Sequence, residues 1–373
     1  MQLQPLSDVS LYRTLVTERK LGKNTVETQQ NLREAFLRFD NKKLQNNLVL
    51  LIADVDHSLL PWKEGNYKQF LDDEILARNK TALQEFEQRL ITVIVTGLGF
   101  RAMQNIAHHF DGFPSFDAIS FDNGKELYLN DTNKTPKDWI EELEMSDKDE
   151  NWQNYMKNKV HWDRNIVIET LIEVLSESGF KAVKGKLPEI AYPHYMVLEA
   201  ELFYQGQSRI PVQIIIDPDE SSMYMVKDSG IDSKVYEGIG RNLGEEITQR
   251  LDLKNNQARY SLSEHDNYFY FFFSPGHEIN VTKASIPDYL LEIFPKDILS
   301  NLKAGIGIGD SENDTHLEIL ELATLGIPFY PIASGTDLLT NQTINNHPRI
   351  EIAHIKGDIA SAIRKQVVKI DAI

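Results

Sequence analysis

Cysteine is absent from this chain of 373 residues. Its absence excludes disulfides, thiolate metal sites and cysteine nucleophiles, and it leaves the cellular compartment undetermined. Long apolar runs are also lacking, since none approaches the roughly 20 residues of a membrane-spanning helix. The first residues do not combine a basic segment with an apolar core, so no secretory signal is predicted. A cytoplasmic location is therefore expected, with export by a signal-independent route left open.

Positive charge is scarce, with 39 Lys and Arg against 56 Asp and Glu and a formal net charge of −17. This balance disfavours a nucleic-acid backbone or an anionic membrane as the main partner. If the substrate is an anion, the site must supply its own local positive charge. Hydrophobic residues make up 41% of the chain, which is ordinary for a globular protein. The length suggests two domains, and the oligomeric state has no signature in the sequence.

After Asn47, an apolar run from Leu48 to Ala53 is followed by two carboxylates, Asp54 and Asp56. Such a run is typical of a strand buried on both faces of a parallel sheet, and open α/β sheets bind their ligands at the carboxyl ends of strands. Two carboxylates this close repel each other unless a cation or a shared proton intervenes. A magnesium ion would meet that need. By itself the pair is a weak pattern, and a strand that ends in a polar turn is the better explanation of it.

The pattern of an apolar run followed by polar or glycine residues recurs along the chain. Residues 91–97 read ITVIVTG and end in the hydroxyl of Thr96 and in Gly97, which are suited to binding a phosphate oxygen. Residues 117–124 predict a third strand and turn, and residues 304–314 a glycine-rich strand that ends in acids, followed by a helix over 316–323. Strands alternating with helices predict an α/β fold with a doubly wound, parallel, Rossmann-like sheet.

Between these segments lies a region of different character. Strand-like runs adjoin one another at 195–203, 210–216, 257–262 and 268–273, which is an α+β pattern. We therefore predict that residues 129–275 form an inserted α+β domain and that residues 47–128 and 276–373 form the core. Residues 1–46 predict a helical extension that packs on the core, with a partner-binding arm as the alternative.

The polar residues at the predicted strand and helix ends follow an order with a chemical logic. They comprise a carboxylate pair, a hydroxyl, a lysine and a second acidic cluster: Asp54-Val-Asp56-His-Ser58, Thr96-Gly97, Lys283, and Gly309-Asp310-Ser-Glu-Asn313-Asp314. Phosphoryl transfer to an aspartate needs a nucleophile, positive charge at the phosphoryl group and a proton carrier. This set resembles the four motifs of the haloacid dehalogenase (HAD) superfamily, over about residues 48–340.

The long insert resembles the α+β (C2B-type) cap of that superfamily's Cof-type and sucrose-phosphate-phosphatase-like branch. Several positions depart from the branch. Leu98 stands where an arginine often follows the second motif, and Arg101 is the candidate replacement. His57 occupies a position where glycine or asparagine is common, and Ala284 one where glycine is usual.

The resemblance implies a role for each matching residue. Asp54 would be the nucleophile and Asp56 the general acid and base. The phosphate would be held by Thr96, Gly97, Lys283 and Asn313. A magnesium cofactor would be held by Asp54, Asp56, Asp310 and Asp314, with Asp56 contributing its backbone carbonyl.

The resemblance implies a magnesium-dependent phosphatase that hydrolyses a phosphate monoester through an aspartyl-phosphate. A small sugar phosphate or related metabolite is the expected substrate. A protein or peptide phosphatase and a non-catalytic HAD-like binding module are the alternatives. Specificity is expected in the insert, with Lys186, Glu189 and His194 as candidates because they carry polar groups beside a predicted strand start.

Overall fold

The structure is a computed structural model of the whole chain. It describes residues 47–63, 70–130, 134–183, 195–204, 209–265, 267–276, 281–294, 296–311, 314–318, 321–322, 326–335 and 345–372. The predicted helical extension over residues 1–46 therefore lies outside the described residues. Within them, no helix combines the length and apolar character that crossing a membrane requires.

The described strands, in chain order, are β1 Leu48–Ala53, β2 Trp62–Lys63, β3 Phe70–Leu71, β4 Leu90–Val95, β5 Ala118–Phe121, β6 Glu126–Leu129, β7 Lys181–Ala182, β8 Met196–Leu202, β9 Ile210–Asp217, β10 Ser222–Val226, β11 Ala258–Glu264, β12 Tyr268–Pro275, β13 Leu302–Gly309, β14 Glu321–Leu322, β15 Ile327–Ser334 and β16 Glu351–Ala353. The α-helices are α1 Asp73–Gln84, α2 Phe100–Asn105, α3 Pro136–Glu142, α4 Glu150–Asn158, α5 Arg164–Glu177, α6 Ser233–Leu253, α7 Ser285–Ile293, α8 Lys296–Asn301 and α9 Ala360–Asp371.

The chain divides into two compact units. Unit 1 comprises residues 1–98, 103–149 and 281–373, and unit 2 comprises residues 99–102 and 150–280. The boundary differs from the predicted one, because residues 129–149 belong to unit 1. Within unit 1, the Asp149 amide donates to the Leu127 carbonyl at 2.8 Å, and the Tyr289 hydroxyl donates to the Asp149 carboxylate at 2.9 Å. The sequence prediction assigned residues 131–149 to the inserted domain because they are polar and differ in composition from the core segments.

Unit 1 is built on one sheet in the order β14-β15-β13-β1-β4-β5-β6, with β16 paired to β15. The pairs among β5, β4, β1, β13, β15 and β16 are all parallel, while β6 and β14 run antiparallel at the edges. Every residue of β1 and β4 is buried, as expected for central strands covered on both faces. The predicted parallel α/β fold is confirmed.

The glycines of β13 leave room for neighbouring side chains. A Cβ atom added to Gly307 would stand 2.5 Å from the Phe329 ring and 2.7 Å from the Leu317 side chain. Both of these side chains are completely buried. The glycine-rich sequence of this strand therefore reflects close packing in the core as well as proximity to the site at its end.

Unit 2 contains an antiparallel sheet in the order β11-β12-β10-β9-β8-β7. Helices α5 and α6 pack against each other, and α6 packs on β11 and β12. Strand β12 alternates strictly, with Phe269, Phe271 and Phe273 buried and the residues between them partly exposed. This period of two places one face of the strand in a core. Strand β10 was not predicted from the sequence.

One helix prediction is wrong. A helix was expected over residues 316–323, but the structure has a short 3₁₀ helix at Thr315–Glu318 and then β14, which pairs with the start of β15. The carboxylate of Asp314 provides the reason. It accepts hydrogen bonds from the amides just before this segment, so the chain leaves the strand end in a tight turn.

A buried asparagine ties α1 to the end of the chain. The Asn79 side chain donates to the carbonyls of Gly357 at 2.5 Å and Leu59 at 3.4 Å, and it accepts from the Ile359 amide at 3.2 Å. Gly357 and Ile359 lie just before α9, which packs against α1, whereas Leu59 belongs to the loop after β1. Asn79 therefore satisfies buried polar groups that no secondary structure element satisfies.

Replacing Asn79 with alanine should lower the free energy of unfolding by about 3 kcal/mol, because buried backbone donors and acceptors lose their partner. The neighbouring Arg78→Ala is a matched control on the same helix. Its exposed ion pair with Asp358, at 2.8 Å, should contribute less than about 1 kcal/mol. Urea unfolding of both variants measures the difference, and equal losses would contradict this role of Asn79.

Candidate active site

Three predicted site residues directly follow neighbouring parallel strands. Asp54 follows β1, Thr96 follows β4, and Asp310 follows β13. Strand β1 pairs in parallel with both β4 and β13, so the three side chains lie at the same edge of the sheet. The Asp54 amide continues this ladder by donating to the Ile308 carbonyl at 3.0 Å. This is the edge at which open α/β sheets bind ligands.

Lys283 joins two carboxylates that are far apart in sequence. Its Nζ lies 2.7 Å from Asp54 Oδ1 and 2.7 Å from Asp314 Oδ1, and all three side chains are buried. The lysine sits in a turn that precedes α7. In this turn the Thr282 amide donates to the Ser285 hydroxyl at 3.1 Å, which fixes the backbone beside the ammonium group.

Asp314 organises the loop that follows β13. Its Oδ2 accepts from the amides of Asp310 at 2.6 Å and Ser311 at 2.9 Å, while its Oδ1 binds Lys283. The carboxylate lies so close to Gly309 that a Cβ atom there would stand 2.5 Å from Oδ2. Glycine is therefore required at position 309 for this carboxylate to fold back over the strand end.

Three buried carboxylates are grouped closely enough to hold a metal ion. One oxygen from each of Asp54, Asp310 and Asp314 lies within 4.8 Å of the others. Hard oxygen ligands of this kind suit magnesium, which would supply positive charge to a bound phosphoryl group. The sequence predicts the backbone carbonyl of Asp56, not its carboxylate, as a metal ligand, and among the described residues the Asp56 carboxylate is not part of this group.

The electrostatics of this group show a shortage of positive charge. Burial raises the pKa of Asp54 well above its ordinary value; Lys283 opposes this shift, and the charges of Asp314 and Asp56 add to it. Burial would also raise the pKa of Asp314, but Lys283, together with the charge of His316 and the hydrogen bond from the Ser311 amide, outweighs burial and leaves that pKa lowered. The pKa of Lys283 is itself raised, because the two carboxylates outweigh its burial. One ammonium group thus serves two carboxylates.

Asp56 points towards an indole. Its Oδ1 accepts from Trp62 Nε1 at 2.7 Å, and the Trp62 ring is buried at the start of β2. Burial raises the pKa of Asp56, and the hydrogen bond from Trp62 partly opposes that shift. The sequence places Trp62 in the loop after the acidic pair but does not indicate that its indole contacts Asp56, so this hydrogen bond was not predicted.

Two further residues of the site also escaped prediction. Lys356 Nζ lies 3.4 Å from Asp310 Oδ2, which adds a second cation beside the acidic group. His316 is buried, donates from Nε2 to the Ile308 carbonyl at 2.8 Å, and has its pKa lowered to about 4 by burial. Nothing in the sequence near Lys356 marks it as a neighbour of residue 310, whereas His316 stands two positions after Asp314.

The loop after β4 carries Thr96 and Gly97, for which the sequence predicts phosphate binding. The Thr96 hydroxyl oxygen accepts from the Leu98 amide at 3.1 Å, which leaves its proton available for donation. Arg101, the candidate for the missing arginine, belongs to unit 2, where its amide donates to the Asp219 carboxylate at 3.1 Å. Asn313, Lys186, Glu189 and His194 lie outside the described residues.

Comparisons with known proteins give matches among solved structures alone. No protein-family model matches the chain, and no curated protein does. A haloacid dehalogenase-like hydrolase from Bacteroides thetaiotaomicron is 15% identical over 85% of this chain and 99% of its own, with a TM-score of 0.46. The haloacid dehalogenase-like protein yhjK of Bacillus subtilis is 17% identical over 88% of this chain and 97% of its own, with a TM-score of 0.40. A trehalose-6-phosphate phosphatase of Aspergillus fumigatus is 10% identical over 88% of this chain and 96% of its own, with a TM-score of 0.43.

The first two structures carry the name of the superfamily that the four sequence motifs resemble. The Cof-type and sucrose-phosphate-phosphatase-like branch stays a prediction.

Replacing Lys283 with methionine should lower the free energy of unfolding of the metal-free protein by about 3 kcal/mol or more, because two buried carboxylates lose their shared cation. Adding Asp54→Asn to this variant should restore part of the loss by removing one buried charge. Lys303→Met, an exposed lysine on β13, is the matched control and should change stability by less than about 0.5 kcal/mol. Urea unfolding with a chelator present measures all three, and a loss near that of the control would contradict the role assigned to Lys283.

Proposed function

We propose that this protein is a magnesium-dependent phosphatase of the HAD superfamily that hydrolyses a phosphate monoester through an aspartyl-phosphate. The observation that carries the proposal is Lys283, which binds Asp54 and Asp314 at 2.7 Å each, beside Asp310, at the ends of parallel strands. This arrangement holds a nucleophile, a cation and a set of metal ligands in one small buried space.

In the proposed first step, a carboxylate oxygen of Asp54 attacks phosphorus as the bond from phosphorus to the leaving oxygen breaks. The Lys283 ammonium and the Thr96 hydroxyl stabilise the charge on the phosphoryl oxygens. Asp56 gives its proton to the leaving oxygen. The raised pKa of Asp56 suits this role, because a buried carboxyl holds its proton at a higher pH than an exposed one.

In the second step, Asp56 takes a proton from water, and the water oxygen bonds to phosphorus as the bond to Asp54 breaks. Trp62 positions Asp56 for both transfers through its hydrogen bond of 2.7 Å. Asp54, Asp310 and Asp314 would hold the magnesium ion, which supplies positive charge to the phosphoryl oxygens. This use of one carboxylate as nucleophile and another as proton carrier is consistent with their separate environments.

A cavity of about 310 Å³ is lined in part by His57, Trp62, Ile75 and Lys356. Trp62 and Lys356 also contact the carboxylates of Asp56 and Asp310, so the cavity adjoins the candidate site. We propose a small sugar phosphate or related metabolite as the substrate class, as the sequence resemblance implies. Selection of the substrate by the insert, through Lys186, Glu189 and His194, stays a prediction.

Asp54→Asn should reduce phosphatase activity at least about a thousandfold, because an amide cannot act as the nucleophile. Removing one buried like charge should leave the protein folded. The exposed Asp111→Asn in the same unit is a matched control and should keep wild-type activity. Hydrolysis of p-nitrophenyl phosphate measures the effect, with circular dichroism to check folding. Activity of Asp54→Asn within tenfold of wild type would refute the nucleophile.

Removal of divalent ions with EDTA should abolish activity, and added magnesium should restore it, because the ligand group is made of carboxylate oxygens. Asp310→Asn should weaken magnesium binding in calorimetry and raise the magnesium concentration needed for half-maximal activity. Asp111→Asn again provides the control. Full activity of a metal-free preparation would overturn the metal dependence.

A further inference from the structure

Three consecutive residues after β5 adopt left-handed backbone conformations. The φ angles are 51° at Asp122, 54° at Asn123 and 95° at Gly124. Residues with a side chain rarely adopt positive φ, and two in succession are more unusual still. Such conformations persist only where the surrounding structure enforces them, and they are concentrated at functional sites.

The surroundings enforce this segment from the side of the phosphate-binding loop. The Asn123 amide donates to the Thr96 carbonyl at 3.0 Å, and the Asp122 amide donates to the Leu98 carbonyl at 3.1 Å. The buried Asp122 carboxylate binds the buried Lys125 ammonium at 2.7 Å. The left-handed segment is thus bonded directly to the backbone of the loop that carries Thr96 and Gly97.

The segment also touches the turn that carries the phosphate-binding lysine. A Cβ atom at Gly124 would stand 2.5 Å from the Thr282 carbonyl oxygen, so the two backbones are in close contact next to Lys283. Residues 122–124 therefore lie against both segments to which phosphate binding is assigned. Under the proposed function, a side chain projecting from this segment towards Gly97 or Lys283 faces the space assigned to the phosphoryl group.

Asn123 has such a side chain. Its carboxamide lies over Gly97: a Cβ atom there would stand 3.3 Å from Asn123 Oδ1 and 3.4 Å from Nδ2. The residue is half-buried, so its amide is not sealed within the core. A carboxamide adds a hydrogen-bond donor without changing the charge of a site already crowded with carboxylates.

We propose that Asn123 is a further phosphoryl-binding residue, whose Nδ2 donates to a non-bridging oxygen of the substrate beside the Thr96 hydroxyl and the Lys283 ammonium. This inference rests on the proposed phosphatase function. The left-handed backbone at residues 122–124 serves to aim the carboxamide across Gly97. A larger residue at position 97 would shift the carboxamide by a few tenths of an ångström.

The competing explanation is conformational, because asparagine tolerates the left-handed region better than most residues. Asn123→Gly separates the two explanations, since glycine keeps the backbone conformation and removes only the amide. Asn123→Asp keeps the shape and places a negative charge beside the phosphoryl group. Asn255, with a φ of 54° in unit 2, is the matched control as Asn255→Gly.

The experiment measures KM and kcat for p-nitrophenyl phosphate, the inhibition constant of inorganic phosphate, and urea unfolding. We expect Asn123→Gly to raise KM and the phosphate inhibition constant about tenfold or more, as for a lost hydrogen bond to a charged group. Asn123→Asp should weaken phosphate inhibition further. Both variants should unfold close to wild type, and Asn255→Gly should change neither constant.

If Asn123→Gly keeps wild-type constants while the wild-type enzyme is active, the binding role of Asn123 is overturned and the phosphatase assignment stands. If the wild-type protein neither hydrolyses phosphate esters nor binds inorganic phosphate in the presence of magnesium, the proposed function fails first. A large loss of stability in Asn123→Gly, without a change in the phosphate inhibition constant, would assign Asn123 a structural role and overturn the proposal.

Discussion

The contact of one buried ammonium group with two carboxylates is the constraint on which the site depends. Lys283 lies 2.7 Å from both Asp54 and Asp314, and none of the three is appreciably exposed. Burying charges is costly unless they are paired, and here two buried carboxylates share the Lys283 ammonium. One oxygen from each of Asp54, Asp310 and Asp314 lies close enough to the others to hold a metal ion. Burial raises the pKa of Asp54, whereas the charges of Lys283 and His316, with hydrogen bonds from Lys283 and the Ser311 amide, lower that of Asp314.

The fold provides the positions that this contact requires. Parallel pairing brings the ends of β1, β4 and β13 to one edge of the sheet, although residues 54 and 283 are 229 positions apart in the chain. Gly309 lets the Asp314 carboxylate fold back onto backbone amides. The left-handed segment 122–124 contacts the Thr96 loop and the Thr282 turn. Backbone geometry, as much as side-chain chemistry, therefore defines the site.

The carboxylates of Asp54 and Asp56 differ in their partners. Asp54 binds the Lys283 ammonium, whereas Asp56 accepts from a neutral indole, and burial raises the pKa of both. Residues two apart at a strand end are thus given separate tasks by their surroundings. In the proposed mechanism this difference lets one act as nucleophile while the other carries the proton. Trp62 is then a positioning residue, since it acts on the substrate only through Asp56.

The sequence by itself determined the parts with strong local signals. Continuous apolar runs predicted β1, β4 and β13, and the polar residues that end them identified Asp54, Thr96 and Asp310 as neighbours at one sheet edge. Local signals failed where pairing is long-range: residues 129–149 joined unit 1 and a predicted helix at 316–323 became a 3₁₀ turn and β14. Only the tertiary structure brought Trp62 to Asp56, Lys356 to Asp310 and Asn123 to Gly97. Each of these contacts joins side chains or backbone from different loops. Their approach depends on the tertiary structure, and residue periodicity or spacing does not predict it.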